Sequence, residues 1–111
     1  MGKGDHLGEL EALVLTVVLR VGECANGTAV YRELEERAGR EISLPSVHVT
    51  LRRLEEKRLL DSDVGEPSSR GGRPRRFYRL TPKGVRALQA FRGMWSRVWS
   101  GLTIPDPELL G

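Results

Sequence analysis

The side chains best suited to bind a ligand are concentrated in one segment, SLPSVHVTLRRLEEK, over residues 43–57. Val47, Leu51 and Leu54 recur at helical spacing, which predicts an amphipathic helix with one buried stripe. The opposite face and its flanks then carry Ser43, Pro45, Ser46, His48, Val49, Arg52 and Arg53. Hydroxyl, imidazole and guanidinium groups on one helix face are suited to base edges and phosphates in a DNA major groove. A solvated surface helix is the alternative, and this segment alone does not distinguish the two.

A second cluster of positive charge follows this helix. Residues 65–79 contain five arginines, of which Arg79 is the last, and a single acid, Glu66. The stretch GEPSSRGGRP within it is rich in turn-forming residues, and its Gly-Gly pair permits close backbone approach to a partner. Behind a helix that faces DNA, such a loop predicts contacts with phosphates or a narrow minor groove, made by Arg70, Arg73, Arg75 and Arg76. Taken without the preceding helix, the loop would instead be interpreted as a disordered charged tip that prevents aggregation.

Signals for catalysis are poor. His6 and His48 are far apart, and no cysteine or acid cluster has the spacing of metal ligands, so we expect no metal site and no cofactor. The sequence contains neither G-x-x-x-x-G-K-[ST] nor G-x-G-x-x-G, and no serine has a base at motif spacing. We therefore predict that the protein is not an enzyme. Cys24 is the only cysteine, which excludes an intrachain disulfide and fits a reducing cytoplasm; a redox role is the alternative.

Length and composition predict one small globular unit. The chain has 111 residues, of which 39% are hydrophobic and 30% charged, and a formal net charge of +3. Because the total charge is modest, the local clustering of arginines matters more than the sum. The polar N-terminus does not resemble a signal peptide, and the longest apolar run, over 12–19, is far shorter than the ~20 residues that span a bilayer. We therefore expect a cytoplasmic protein without a membrane partner.

The order of predicted elements is that of a winged helix-turn-helix. The first two helices are predicted over 7–21 and 28–38, with Thr28 as the cap of the second. After the helix capped by Ser43, strands over 59–64 and 75–80 form a hairpin, and a last helix begins at Thr81-Pro82. Ile42 could belong to a small strand. The fold class is therefore mainly α with a small β-hairpin (α+β), divided into a DNA-binding domain over 1–81, a dimerisation helix over 82–102 and a tail over 103–111.

Two helices carry more apolar surface than so small a core can cover. The first helix is apolar nearly all round, and the last has a seam whose steps of three and four resemble a coiled coil. This predicts a homodimer whose interface contains Leu10, Val14, Leu88, Phe91, Trp95, Val98, Trp99 and Leu102. Trp95 and Trp99 are four residues apart, so they either pack in that interface or wall a pocket for a planar ligand.

Several of these segments together resemble the PadR family of bacterial transcriptional regulators. The resemblance rests on LGELEALVLTVVL, on SLPSVHVTLRRLEEKRLL, on GEPSSRGGRPRRFYRLTPKG and on the following helix, and it covers about residues 7–102. It implies a homodimeric repressor that binds palindromic operators through a winged helix and dimerises through one closing helix. It also implies a small aromatic effector between the closing helices, near Trp95 and Trp99. Two positions depart from the family: His48 replaces a frequent tyrosine, and Arg58 replaces a small residue or glycine.

The sequence thus predicts a DNA-binding regulator of transcription whose partners are double-stranded DNA and a second copy of the chain. The alternative class is a winged-helix module that docks on another protein through the same helix and hairpin. An exposed apolar patch would favour protein docking, whereas a steep salt dependence of binding to duplex DNA would favour the regulator.

Overall fold

The computed structural model describes residues 6–39, 41–65 and 75–111. In these ranges the chain forms four α-helices and one antiparallel hairpin: α1 Glu9–Val21, α2 Gly27–Ala38, α3 Leu44–Glu56, β1 Leu60–Val64, β2 Arg76–Leu80 and α4 Pro82–Trp99. Short 3-10 helices at Gly22–Cys24 and Pro107–Leu110 follow α1 and α4. The mainly helical class with a small β-hairpin is confirmed.

Side-chain caps explain where the helices begin. The hydroxyls of Ser43 and Thr81 accept backbone N–H groups at the starts of α3 and α4, and each helix has proline in its first turn, as predicted. The cap of α2 is Asn26, whose Oδ1 accepts the N–H of Ala29 at 2.8 Å, so the assignment to Thr28 was wrong. Helix α1 begins at Glu9 rather than at residue 7 because Gly8 is its cap, and the Glu11 carboxylate accepts the Gly8 N–H.

One hydrophobic core joins the three N-terminal helices to the hairpin. Its apolar members are Leu7, Ala12, Val14, Leu15, Val17, Val18, Ala25, Val30, Leu34, Ile42, Val47, Leu51, Leu54, Leu59, Leu60 and Tyr78. Val14 is completely buried within its own protomer, so its predicted place in a dimer interface is wrong. Leu15 is also in the core, whereas Leu19 is exposed. Ala38, at the end of α2, is exposed as well.

The hairpin packs on the helices through one face. Its register pairs Leu60 with Leu80 and Val64 with Arg76, and Tyr78 points into the core. The Tyr78 N–H donates to the carbonyl of Ala25 at 2.9 Å, which ties β2 to the loop before α2. Ile42 is buried but belongs to no strand, so the suggestion of a small strand there is not met.

Helix α4 leaves the globular part of the chain. The described residues extend 59 × 35 × 20 Å, and the large side chains near the end of α4 are exposed. The helix ends at Trp99, and Gly101 has a φ of 76°, so the predicted helical end at residue 102 was three residues too late. Leu102 therefore lies beyond the helical seam. Within the described ranges, no helix has the length and hydropathy needed to cross a membrane.

Candidate nucleic-acid interface

Helix α3 divides into the two faces that its sequence predicts. Val47, Leu51 and Leu54 are fully buried, and Thr50 lies beside them with its hydroxyl donating to the Ser46 carbonyl at 2.8 Å. All seven predicted contact residues are exposed: Ser43, Pro45, Ser46, His48, Val49, Arg52 and Arg53. Because the apolar stripe is anchored in the core, the polar face is held toward solvent at the surface of the domain.

The two serines at the start of α3 have different roles. The Ser43 hydroxyl accepts the Ser46 N–H at 3.2 Å and donates to the Ser46 hydroxyl at 2.8 Å. Ser43 is thus occupied as the helix cap, whereas Ser46 keeps its own hydroxyl proton for an external acceptor. Of the pair, Ser46 is better placed to contact a ligand.

His48 lies against the first residue of α2. A Cβ on Gly27 would come within 2.3 Å of His48 Cε1, far inside a normal contact, so a larger residue at this position would force the exposed imidazole to move. Sequence reasoning missed this role of Gly27, because the Asn26-Gly27 dipeptide indicates only a turn. The contact fixes the N-terminus of α2 beside the exposed face of α3.

The guanidiniums of α3 and those of the hairpin differ in their partners. The guanidiniums of Arg52 and Arg53 form no hydrogen bond or ion pair with another described residue, and both side chains are exposed. Their charges act at longer range, that of Arg53 on Glu11 and that of Arg52 on Tyr78. By contrast, Arg79 on β2 forms an ion pair with Asp63 on β1. A free guanidinium is available to a phosphate or base without first losing an internal partner.

A hydrogen-bond chain connects α3 to the hairpin. Ser62 on β1 donates to the Glu55 carboxylate near the end of α3, and Arg76 on β2 donates to the Ser62 hydroxyl at 2.9 Å. Burial raises the pKa of the adjacent Tyr78 phenol, and the negative charge of Glu55 raises it further. Arg76 is therefore held at the loop end of the hairpin, where it pairs with Val64, by a side-chain partner that sequence reasoning did not identify.

Only part of the predicted basic loop can be located. Arg75 is exposed at the start of the returning chain, where its carbonyl accepts the Gly65 N–H at 2.7 Å. Arg70 and Arg73 lie outside the described residues. Among the arginines of the loop and β2 that the structure describes, the guanidinium of Arg75 forms no hydrogen bond or ion pair with a described residue, whereas those of Arg76 and Arg79 do.

The C-terminal end of α3 is closed by a Schellman motif with an unusual residue. The Leu59 N–H bonds to the Leu54 carbonyl and the Arg58 N–H to the Glu55 carbonyl, both at 2.9 Å. Arg58 has a φ of 63° and is the one described non-glycine residue with positive φ. A position with positive φ normally suits glycine, because glycine has no Cβ.

The same end of α3 is bonded to neighbouring helices. The Lys57 ammonium donates to Glu11 on α1 at 2.7 Å. Burial of Glu11 opposes its ionisation, but the Gly8 N–H and Lys57 outweigh that effect, so the pKa of Glu11 is lowered. The Thr81 hydroxyl donates to the Arg58 carbonyl at 2.7 Å and accepts the Gly84 N–H at 3.0 Å, which joins α3 to the start of α4.

Three further features considered in the sequence are the single cysteine, a possible metal site and the tryptophans of α4. Cys24 is an exposed free thiol in the turn after α1. Among the residues that the structure describes, no group of histidine, cysteine and acidic side chains is arranged to hold a metal ion. The Trp95 ring contacts Phe91, with centroids 6.3 Å apart and planes tilted by 49°.

Three packed helices, the last with an exposed basic face, followed by a hairpin and a closing helix, define a winged helix-turn-helix protein. The family model described as the transcriptional regulator PadR-like family matches residues 14–90. The chain therefore belongs to this family, as its sequence motifs predicted, and is a DNA-binding regulator of transcription. No curated protein matches the chain.

Solved structures with the same fold agree with this assignment. A PadR family transcriptional regulator from Eggerthella lenta DSM 2243 is 32% identical, with 84% of this chain and 81% of that chain covered and a TM-score of 0.66. A PadR-like transcription factor from Bacteroides fragilis is 27% identical, with 80% and 82% covered and a TM-score of 0.70. A PadR-like transcriptional regulator from Bacillus cereus ATCC 14579 is 26% identical, with 80% and 82% covered and a TM-score of 0.66.

Proposed function

We propose that this protein is a homodimeric repressor that binds a palindromic operator and blocks transcription by occupying it. The observation that carries the proposal is the exposed face of α3, where the guanidiniums of Arg52 and Arg53 form no hydrogen bond or ion pair with a described residue. A protein gains little stability from two neighbouring unpaired guanidiniums, whereas operator phosphates and guanine edges would pair with both.

In this proposal the face of α3 enters the major groove. Ser46 and His48 contact base edges, and Pro45 and Val49 provide small apolar surface for thymine methyl groups. Arg52 and Arg53 bind base edges or phosphates farther along the helix. Arg75, with Arg70 and Arg73, anchors the hairpin on the DNA backbone beside the groove.

The proposed dimer forms through α4. Trp95, Val98 and Trp99 are exposed on this helix, whereas Leu88 and Phe91 are partly buried against the core. Covering each large exposed side chain with a second copy would contribute about 1.5–3 kcal/mol. A twofold pair also brings two α3 helices to the roughly 34–36 Å separation of successive major grooves, which accounts for a palindromic site.

We further propose that a small planar aromatic molecule releases the protein from DNA. The exposed indoles of Trp95 and Trp99 support this, because two copies would supply flat walls on both sides of a ligand. Quenching of tryptophan fluorescence by planar aromatic cations and neutral dyes measures such binding, and Trp95→Leu should abolish it. Unchanged quenching in this variant would exclude the proposed pocket.

The central experiment is to select and sequence the DNA fragments that the purified protein retains from a random pool. We expect an inverted repeat whose half-sites lie about one helical turn apart. On this site, Arg52→Ala and Arg53→Ala should each cost about 1–3 kcal/mol of binding free energy. Arg79→Ala is the matched control, because its guanidinium already pairs with Asp63.

The salt dependence of binding separates this proposal from protein docking. The logarithm of the DNA association constant should fall steeply with the logarithm of salt concentration, and Arg75→Ala should reduce that slope by about one unit. Val49 is the one large apolar side chain described as exposed on α3, which gives little support to a protein-docking surface. Absence of any enriched DNA sequence, with a flat salt response, would overturn the proposed function.

A further inference from the structure

An apolar groove runs between three helices on a part of the surface that the DNA-facing residues do not use. Its volume is about 770 Å³, and it is formed by one side of α1, the C-terminal end of α2 and residues 85–95 of α4. Leu13, Leu19, Ala38, Leu88 and Phe91 are among its apolar lining residues. A groove of this size accepts several side chains of a peptide segment.

The rim of this groove is predominantly basic. Arg20, Arg37 and Arg92 line it, together with Glu9 and Gln89. Arg37 forms an ion pair with Glu33 on its own helix, whereas Arg20 and Arg92 form no ion pair with another described residue. An occupant that combines apolar side chains with negative charge would therefore fit both the floor and the rim.

The segment that follows α4 has this composition. Residues 102–110, LTIPDPELL, contain four large apolar side chains and two acids, Asp106 and Glu108, but no base. Ile104 is 71% exposed, Leu109 81% and Leu110 75%, so the chain's own core covers almost none of this apolar surface. Asp106 caps the short turn by accepting the Glu108 N–H, which leaves the Glu108 carboxylate directed to no described partner.

The position of the segment favours a second copy as the source of the matching surface. Helix α4 carries the segment away from the globular part, and Gly101, with a φ of 76°, redirects the chain after the helix ends. If two α4 helices pack antiparallel about Trp95, the end of each helix lies beside Phe91 of the other. The segment of one copy then begins at the groove of its neighbour.

We propose that residues 102–110 of each protomer dock in the groove between α1, α2 and α4 of the other protomer. The apolar side chains fill the groove, and Glu108 faces the arginines of its rim. This proposal rests on the proposed homodimer, and it adds an exchanged arm to a helix-to-helix contact. Two other occupants of this groove compete with the segment: the α4 helix of the second copy alone, and a small apolar molecule.

Disulfide trapping between two differently tagged copies tests the contact directly. In a Cys24→Ser background, one copy carries Leu109→Cys and the other Ala38→Cys, because Ala38 lines the groove. Mild oxidation should give a mixed adduct of both tags within the dimer fraction. The matched control replaces Ala38→Cys by Glu36→Cys, which is equally exposed on α2 but outside the groove, and should give little adduct.

A charge exchange gives a second readout in solution. Glu108→Lys and Arg92→Glu should each raise the dimer dissociation constant about three- to tenfold, and the two together should restore it toward the parent value. Because Glu108 is exposed, its replacement leaves the fold intact and any loss reports on assembly. Sedimentation equilibrium over nanomolar to micromolar concentrations measures each constant.

The outcomes distinguish the arm from the dimer itself. A parent protein that remains monomeric at micromolar concentration would overturn the dimer and, with it, the proposed function. A stable dimer without the mixed adduct, and with dimerisation unchanged by Glu108→Lys, would overturn the arm alone. An adduct together with rescue by the double exchange would establish it.

Discussion

The carbonyl oxygen of Leu59 lies so close to Gly84 that a Cβ on Gly84 would stand 2.1 Å from it. Leu59 follows α3, and Gly84 lies in the first turn of α4. The same carbonyl accepts the Thr81 N–H at 3.1 Å. The closing helix is thus seated directly on the backbone that ends the DNA-facing helix, at a distance that excludes any side chain.

Gly84→Ala should destabilise the protein by about 1–3 kcal/mol, because the opposing atom is backbone and cannot move aside as a side chain can. Thermal and denaturant unfolding measure the loss. The matched control is Gly93→Ala on the same helix, where a Cβ would meet only the flexible end of Arg97 at 3.3 Å. That variant should gain up to about 1 kcal/mol from helix propensity. Equal effects of the two substitutions would contradict the close seating of α4.

Arg58→Gly should stabilise the fold by about 1 kcal/mol. Arg58 has a φ of 63°, a conformation that is costly for residues with a Cβ and free of that cost for glycine. The bonds of the Schellman motif use only backbone atoms, so the substitution preserves them. Arg58→Ala removes the charge but retains the Cβ, and it should leave the free energy of unfolding nearly unchanged. A gain as large with alanine would assign the effect to charge.

Gly27→Ala should lower operator affinity by displacing the imidazole of His48 from the first turn of α2. The expected loss is about 1 kcal/mol of binding free energy, since His48 then leaves its position on the DNA-facing surface. The double variant Gly27→Ala/His48→Ala removes the clash, so the effects of the two substitutions on stability should be strongly non-additive. Additive unfolding free energies would show that the two residues do not interact.

The ion pair between Glu11 and Lys57 should make stability depend on acid pH. Because the folded-state pKa of Glu11 is lowered from 4.5, its contribution is present above the unfolded pKa. It is lost as pH falls through the folded pKa. Glu11→Gln should therefore be less stable than the parent by about 1 kcal/mol at neutral pH, and the difference should vanish in acid. Glu36→Gln, at an exposed site on α2, is the control for the loss of one carboxylate charge.

The boundaries and caps of the helices were predictable where the signal is local. Ser43 and Thr81, each followed by proline in the first turn, mark the starts of α3 and α4 because a cap depends on residues only three positions away. Where two caps competed, as Asn26 and Thr28 do before α2, sequence alone did not select the right one. The end of α4 was placed too late because an apolar repeat continues past the turn at Gly101.

The face of α3 was predictable because its apolar stripe is narrow and leaves only one face for solvent. Helix α1 gave no such guidance: it is apolar on most sides, so spacing could not show that Val14 is in the core and Leu19 at the surface. The packing of His48 on Gly27, and of Leu59 on Gly84, joins residues 21 and 25 positions apart. Contacts of this kind depend on the tertiary arrangement, which hydrophobic periodicity does not specify.

A single residue, Thr81, separates the end of β2 at Leu80 from the start of α4 at Pro82. Its hydroxyl is bonded on one side to Arg58 and on the other to Gly84, so no flexible joint lies between the wing and the closing helix. In a dimer joined through α4, the distance and the rotation between the two α3 helices would then be fixed by the geometry of the α4 helices alone. Such a dimer cannot adjust the spacing between its two DNA-binding surfaces. Inserting one base pair between the half-sites rotates one of them relative to the other by about a tenth of a helical turn. A dimer whose DNA-binding domains were joined by flexible linkers would tolerate this offset. In a dimer without such linkers, we expect the insertion to lower the affinity for DNA.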